Sequence, residues 1–363
     1  MKSGEGRSGP AAVYAAAALS LAYLLTLRFL PPPPPPPAVR AAALEASRLM
    51  AAAETALREC RAVRGIPVDP AADPNGTGLI GVETSEITTS TGRLEAKRTT
   101  TNPAFAGLLV SLLDQAGVRR GDVVAVGASS SFPALIVATL AAARALGAVP
   151  LIVSSLGASE WGGNLPAFSW LDMEECLREK GLFDVRPIAR AVGGEGDVGR
   201  DLSLEGRDLL AARIRADAGP AFLEEPDLER NVARRLALYR EAAAGRPIRA
   251  FVNIGGSWAN LGTDAEVLTV APGLAGRIAI PPPPRRGVLQ AMAAAGVPVI
   301  HLLNVRGLCE RYGLPWDPRP LPEPGQGRVG LPSGSPVRTL LTAGYLAGLA
   351  VLLALLGRRR PGL

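Results

Sequence analysis

Three consecutive serines, Ser129, Ser130 and Ser131, separate the apolar run "DVVAVGA" from the proline-opened stretch "FPALIVATLAAARALG". A loop between a strand and a helix N-terminus presents free backbone N–H groups and the positive end of the helix dipole, which favours an anion. The hydroxyls add donors, and Pro133 suits the first helical turn. "GASSSF" matches none of GxxxxGK[ST], GxGxxG and GxSxG. It therefore supports neither an ATP P-loop, a dinucleotide fingerprint nor a hydrolase elbow. The same serines also suit a helix cap and a tight turn. A second loop of this kind, with Gly255, Gly256 and Ser257 in "VNIGGSWANLG", follows another apolar run.

The stretch "ETSEITTSTGRLEAKRTTTNP" (83–103) interleaves charge with threonine and serine. Lys97 and Arg98 could receive a carboxylate, whereas Glu83, Glu86 and Glu95 could take a cation or act as acid and base. The competing reading is a solvated hairpin whose threonines favour strands. A Ser–His–Asp arrangement can be written from Ser129 or Ser257 with His301 and Asp264. His301 is the sole histidine and lies in "VPVIHLLN", where a buried structural role is the alternative. Trp161 and Trp170 read as cover over the same cleft or as packing. The cysteines, Cys60, Cys176 and Cys309, are odd in number and show no CxxC or other metal-ligand spacing. Neither a metal nor another cofactor is expected.

The elements that would position these residues follow from alternation. A short strand near 79–82, a helix near 103–116, and strands at 123–126, 151–153, 251–254 and 299–302 are predicted. Strand, loop and helix recur in that order, which specifies an α/β fold with a mostly parallel, helix-flanked, Rossmann-like sheet over residues 79–316. "GVLQAMAAAGVPVIHLLN" echoes "AAARALGAVPLIVSS", which suggests two halves, 79–195 and 196–316; the generic helix–glycine–strand order of α/β units is the alternative. "VGGEGDVGRD" would mark their boundary, and the charged stretch 201–244 reads as helical. In an open α/β sheet ligands sit beyond the carboxyl ends of the strands. Both glycine–serine loops should then border one crevice, with 88–97 close by.

The formal charge of +6 belongs to the ends. Residues 1–30 carry a net +2 and the last seven residues +3, leaving +1 for everything between. A nucleic-acid partner needs a basic face on the folded part, so that class is set aside. The apolar stretches 11–30 and 339–356 are each near the lower length for a transmembrane helix. An uncleaved anchor is expected at the first, since "FLPPPPPPP" offers no small-x-small cleavage site. Lys2 and Arg7 precede the first stretch, and Arg358, Arg359 and Arg360 follow the second. The positive-inside rule then places the tails 1–10 and 357–363 in the cytoplasm and the main domain outside. Prolines 31–37 would form a polyproline II stalk of roughly 20 Å. Residues 38–78 read as a helical linker, and the proline- and glycine-rich 317–338 as a second tether.

In "SEITTSTGRLEAKRTTTNPAFAGLL", "GDVVAVGASSSFPAL" and "SLGASEWGGNLPAFSWLDM" the chain resembles the poly-γ-glutamate system protein family. The likeness spans 79–173, with "VNIGGSWANLG" and the flanking spans matching more loosely. The resemblance implies a bacterial, membrane-bound accessory protein of poly-γ-glutamate synthesis and export. Its implied partners are the membrane and the synthase or export subunits, with the glutamate polymer a candidate ligand. It brings no catalytic assignment, and with no nucleotide motif here the ATP-dependent ligation belongs elsewhere. Two rival classes stay open: a hydrolase or transferase acting through a serine loop, and a purely structural subunit.

Overall fold

The computed structural model describes residues 10–29, 35–326 and 336–358. In chain order, helix α1 (Pro10–Phe29) is followed by α2 (Pro37–Val63), α3 (Leu94–Thr100) and α4 (Ala104–Gln115). Next come strand β1 (Val123–Ser129), α5 (Pro133–Leu146), β2 (Val149–Ser155), α6 (Trp170–Glu179) and β3 (Ala189–Ala191). They lead to α7 (Leu204–Ala216), β4 (Ala221–Leu223), α8 (Leu228–Ala243), β5 (Ile248–Ile254) and α9 (Trp258–Leu261). The order ends with β6 (Gly273–Leu274), α10 (Val288–Ala294), β7 (Val299–Leu302), α11 (Val305–Tyr312) and α12 (Pro336–Arg358). Two compact units hold these elements: Pro35–Val329, and the terminal segments Met1–Pro34 with Gly330–Leu363.

In the larger unit the strands form one sheet in the order β4-β3-β2-β1-β5-β7-β6. Every described pairing is parallel except that of the edge strand β6 with β7. The reason lies in the sequence of the central strands. β1 is buried at every position and apolar up to Ser129, so it needs cover on both faces. On one face Val123, Ala125, Phe251 and Val299 join Tyr239 of α8 and Leu289 and Met292 of α10. The Tyr239 hydroxyl reaches the Val126 carbonyl at 2.8 Å, which satisfies it inside the core. Alternate residues such as Val124 and Val126 turn to the opposite face, where α2, α4 and α5 pack together. Each large side chain buried this way contributes about 1.5–3 kcal/mol.

The α/β class and the four strands read from apolar runs are present, with β3, β4 and β6 added as short outer strands. The short strand expected near 79–82 does not form a ladder. The segment 83–103 is not a solvated hairpin: its second part folds as α3, with Lys97, Arg98, Thr99 and Thr100 buried. The stretch 201–244 is two helices around β4, and residues from both candidate halves share the one sheet. Residues 38–63 are not free of the domain. α2 buries Ala46, Met50, Ala53 and Leu57 and is joined to α6 by the Cys60–Cys176 disulfide. Cys309 is a buried free thiol.

In the smaller unit α1 and α12 pair through Ser20 with Tyr345 at 2.8 Å and Tyr23 with Thr342 at 2.7 Å. The Tyr23 and Tyr345 rings stack with centroids 4.3 Å apart. As one number rises the other falls, so the two helices run antiparallel. Among the described residues no helix is long and apolar enough to cross a membrane. The described side chains of these helices cover 13–29 and 339–354, so the spans expected at 11–30 and 339–356 rest on the sequence alone. The prolines 31–34, the tails 1–9 and 359–363, and the tether at 327–335 lie outside the described residues.

Candidate functional site

Strand order decides where a site can form. From β1 the chain winds one way through β2, β3 and β4, and from β5 it winds the other way to β7. β1 and β5 are neighbours in parallel register, so the loops beyond their carboxyl ends diverge and leave a crevice between them. A cleft of about 1120 Å³ occupies that position, lined by loops after β1, β2, β5 and β7 and by α3. Ser129 and Ser131 line it from the β1 side, Gly256 and Ser257 from the β5 side, and residues 89–97 close it. The two glycine–serine loops and the threonine-rich segment therefore meet as expected.

The three serines divide their roles. Ser130 is fully buried, and both its N–H and its hydroxyl donate to the Ser155 carbonyl, at 3.0 and 2.9 Å. It ties β1 to β2 and does not line the cleft. Ser129 accepts from the Ser131 N–H at 3.3 Å, shaping the turn. Ser131 accepts from the Ser159 N–H at 3.0 Å, which brings the loop after β2 into the site. Gly255 has φ 74° and packs so that a Cβ there would lie 3.0 Å from that of Ser129. A glycine is needed for the two loops to approach.

Lys97 is the buried charge of the cleft, with 3 % of its surface exposed. Its Nζ lies 2.5 Å from the Ser131 carbonyl oxygen and 2.7 Å from Ser159 Oγ. The Phe132 ring lies beneath it, 3.9 Å to the centroid. All three partners are neutral, and among the described residues no carboxylate lies within ion-pair distance of Nζ. Burial pushes its pKa down to about 7, and the more distant Glu160 offsets this in part. Gly92 allows the enclosing loop to lie close: a Cβ there would fall 2.5 Å from the Glu160 carbonyl and 3.3 Å from Lys97 Cε.

Arg98 departs from expectation. It forms a two-pronged ion pair with Asp317, at 2.7 and 2.8 Å, and does not line the cleft. That pair holds the Asp317 carboxyl below its ordinary value, so Arg98 fastens the segment at 317 to α3. The Ser–His–Asp arrangement is not assembled. His301 is buried on β7, its Nδ1 facing the Asn253 side-chain amide at 3.0 Å, and burial pushes its pKa down to about 4. Asp264 pairs with Arg285 at 2.9 Å and caps the Glu266 N–H. Neither lines the cleft. Trp161 and Trp170 pack elsewhere, while Trp258 and Trp316 take the place at the cleft. Of the three glutamates of 83–103, Glu95 alone lines it, and among the described residues no cluster suited to a metal occurs.

One arrangement was not foreseen. Ser257 Oγ lies 3.3 Å from Ser155 Oγ, which donates to Asp197 at 3.1 Å. Asp197 is ion-paired with Arg235 at 2.5 Å, both fully buried, and accepts from Asn231 at 3.0 Å. "VGGEGDVGRD" is thus no boundary. Gly193, Gly194, Gly196 and Gly199 take positive φ so that the turn can carry Asp197, itself at φ 60°, beneath the cleft floor. The glycine density was the available signal; the partner helix was not visible. Ser159 lies in the quoted "SLGASEW" but carries no motif of its own.

No family model, curated protein or solved structure matches the chain.

Proposed function

We propose that the Pro35–Val329 unit receives a carboxylate-bearing group in the switch-point cleft, and that the protein is a membrane-anchored accessory component of bacterial poly-γ-glutamate synthesis and export. The observation that carries the first part is Lys97, a buried cation at the cleft with only neutral partners. Burying an uncompensated charge is costly. An incoming carboxylate supplies the missing counter-charge, and the Ser129, Ser131 and Ser257 hydroxyls are placed to donate to it. Three cationic and three acidic side chains line the cleft: Arg93, Lys97 and Arg306 against Glu95, Glu195 and Asp201. That balance suits one or two residues of a polymer better than a long polyanion track.

The resemblance in residues 79–173 is what names the polymer. The Cys60–Cys176 disulfide supports an oxidising compartment for this unit. The antiparallel pairing of α1 and α12, with basic residues beyond both, supports a two-pass arrangement with both tails in the cytoplasm.

Calorimetric titration of the protein with short γ-linked glutamate oligomers tests the cleft. A carboxylate beside Lys97 favours its protonated form, so binding should take up a proton and weaken as pH rises through about 7. Glu160 acts on Lys97 from nearby, and Glu95, Glu195, Asp201, Arg93 and Arg306 line the same cleft. Binding about tenfold weaker at pH 8 than at pH 6, and weaker again as salt rises, is the expected outcome. No oligomer binding at pH 6 and low salt would remove the site.

A further inference from the structure

We propose that Ser159 and Lys97 form a serine–lysine dyad, so that the cleft is an acyl-transfer site in which Ser159 is the nucleophile and Lys97 the general base. The argument starts from the three directions around Lys97 Nζ. The Ser131 carbonyl at 2.5 Å can only accept a hydrogen bond. The face of the Phe132 ring at 3.9 Å is likewise an acceptor. Ser159 Oγ at 2.7 Å is the one partner that carries a proton of its own. A neutral amine has two N–H bonds and one lone pair. With the N–H bonds directed at the carbonyl and the ring, the lone pair faces the Ser159 hydroxyl. The surroundings thus fix both the position of the base and the orientation of its lone pair.

Three further features agree. Ser159 and Lys97 both line the cleft. The Ser159 N–H is held by Ser131 Oγ at 3.0 Å, which fixes the backbone carrying the nucleophile. Burial among neutral groups makes the neutral amine accessible near physiological pH, as a general base requires.

The reaction balances without a co-reactant other than water. Ser159 Oγ attacks the carbonyl carbon of an amide while its proton passes to Lys97 Nζ. The C–N bond breaks, and the leaving nitrogen takes that proton, leaving an acyl-serine and an amine. Water then attacks the acyl carbon, giving its proton to Lys97, and Ser159 Oγ recovers a proton as the carboxylic acid departs. If an amine replaces water, the same steps form a new amide. The substrate class is an amide or ester acyl group on an anionic chain. That choice rests on the carboxylate-receiving reading of the cleft; the dyad itself does not. A carboxylate seated at Lys97 itself would protonate the base, so in turnover the acyl carbonyl takes that place and the chain's carboxylates meet Arg93 or Arg306, which line the same cleft.

The test treats the whole chain with an alkyl fluorophosphonate and locates the adduct by peptide mass spectrometry. The adduct should fall on Ser159, and its rate should rise with pH and level off above about pH 7–8, where Lys97 is neutral. Glu160 is the charged group nearest in effect to Lys97, and Glu95, Glu195, Asp201, Arg93 and Arg306 line the same cleft. Lys97→Met should slow labelling by about 10²–10⁴-fold. Adducts on Ser129, Ser131 or Ser257 instead, no adduct at all, or an unchanged rate in Lys97→Met would each overturn the dyad. Should Lys97→Met fail to fold, a rate that does not vary between pH 5.5 and 8.5 in the unaltered chain would overturn it equally. The probe contains no glutamate, so labelling without oligomer binding removes the substrate choice, and binding without labelling removes the dyad.

Discussion

Lys97 links stability to chemistry at the scale of one residue. Burial lowers its folded pKa to about 7, whereas an unfolded lysine titrates near 10.4. Between these values the unfolded chain binds more protons than the folded one, so this group makes stability rise with pH across about 7 to 10. Below pH 7 both states hold the proton, and the full cost of the buried ammonium is present. Lys97→Met removes that cost and keeps most of the apolar stem. Its melting temperature should exceed that of the unaltered chain at pH 6, with the gap closing toward pH 10, as read by thermal melts across that range. A gap that stays constant with pH would show that Lys97 is not buried as a charge. The residue thus costs stability where it stands, as expected for a functional group in a tuned site.

At the scale of elements, the glycine-rich turn at 193–199 and helix α8 act together. The turn holds Asp197 below the cleft, and α8 supplies Arg235 and Asn231 to meet it. Removing one partner of a buried pair leaves the other charge uncompensated, at a cost of about 3–5 kcal/mol. Asp197→Asn should therefore lose stability of that size in urea unfolding. It should also disturb Ser155 and Ser257, which Asp197 anchors through Ser155 Oγ. A loss below about 1 kcal/mol would mean that water reaches Arg235. The sequence shows four glycines in this turn and reads as a boundary between two halves. The fold uses their positive φ values to bring Asp197 to Arg235 and Asn231 of α8.

At the scale of the whole molecule, the Cys60–Cys176 disulfide joins α2 to α6 across 116 residues of chain. A loop of this length loses much entropy when closed in the unfolded state, so Cys60→Ser should cost about 2–5 kcal/mol. Thiol alkylation of protein taken directly from cells should modify Cys60 and Cys176 only after reduction. Modification without reduction would argue against an oxidising compartment and against the outward placement of the α/β unit.

The sequence by itself determined the class of fold and the end of the sheet that carries the site. Branched apolar runs such as Val123–Val126 must be buried on both faces, and helical stretches between them force a parallel sheet. Loops following parallel strands all emerge at the carboxyl end, so Ser129 and Ser257 were bound to lie on the same side. Only the tertiary structure decided which hydroxyls face the cleft and which charges are already paired. Lys97 and Arg98 are adjacent on α3, yet successive helical residues point about 100° apart. One reaches Ser159 and the other Asp317, partners 62 and 219 residues away. Ser130 looked equivalent to its neighbours, but the β1–β2 pairing directs its hydroxyl to the Ser155 carbonyl. Contacts of this kind depend on which strand lies beside which, and local pattern holds no record of that.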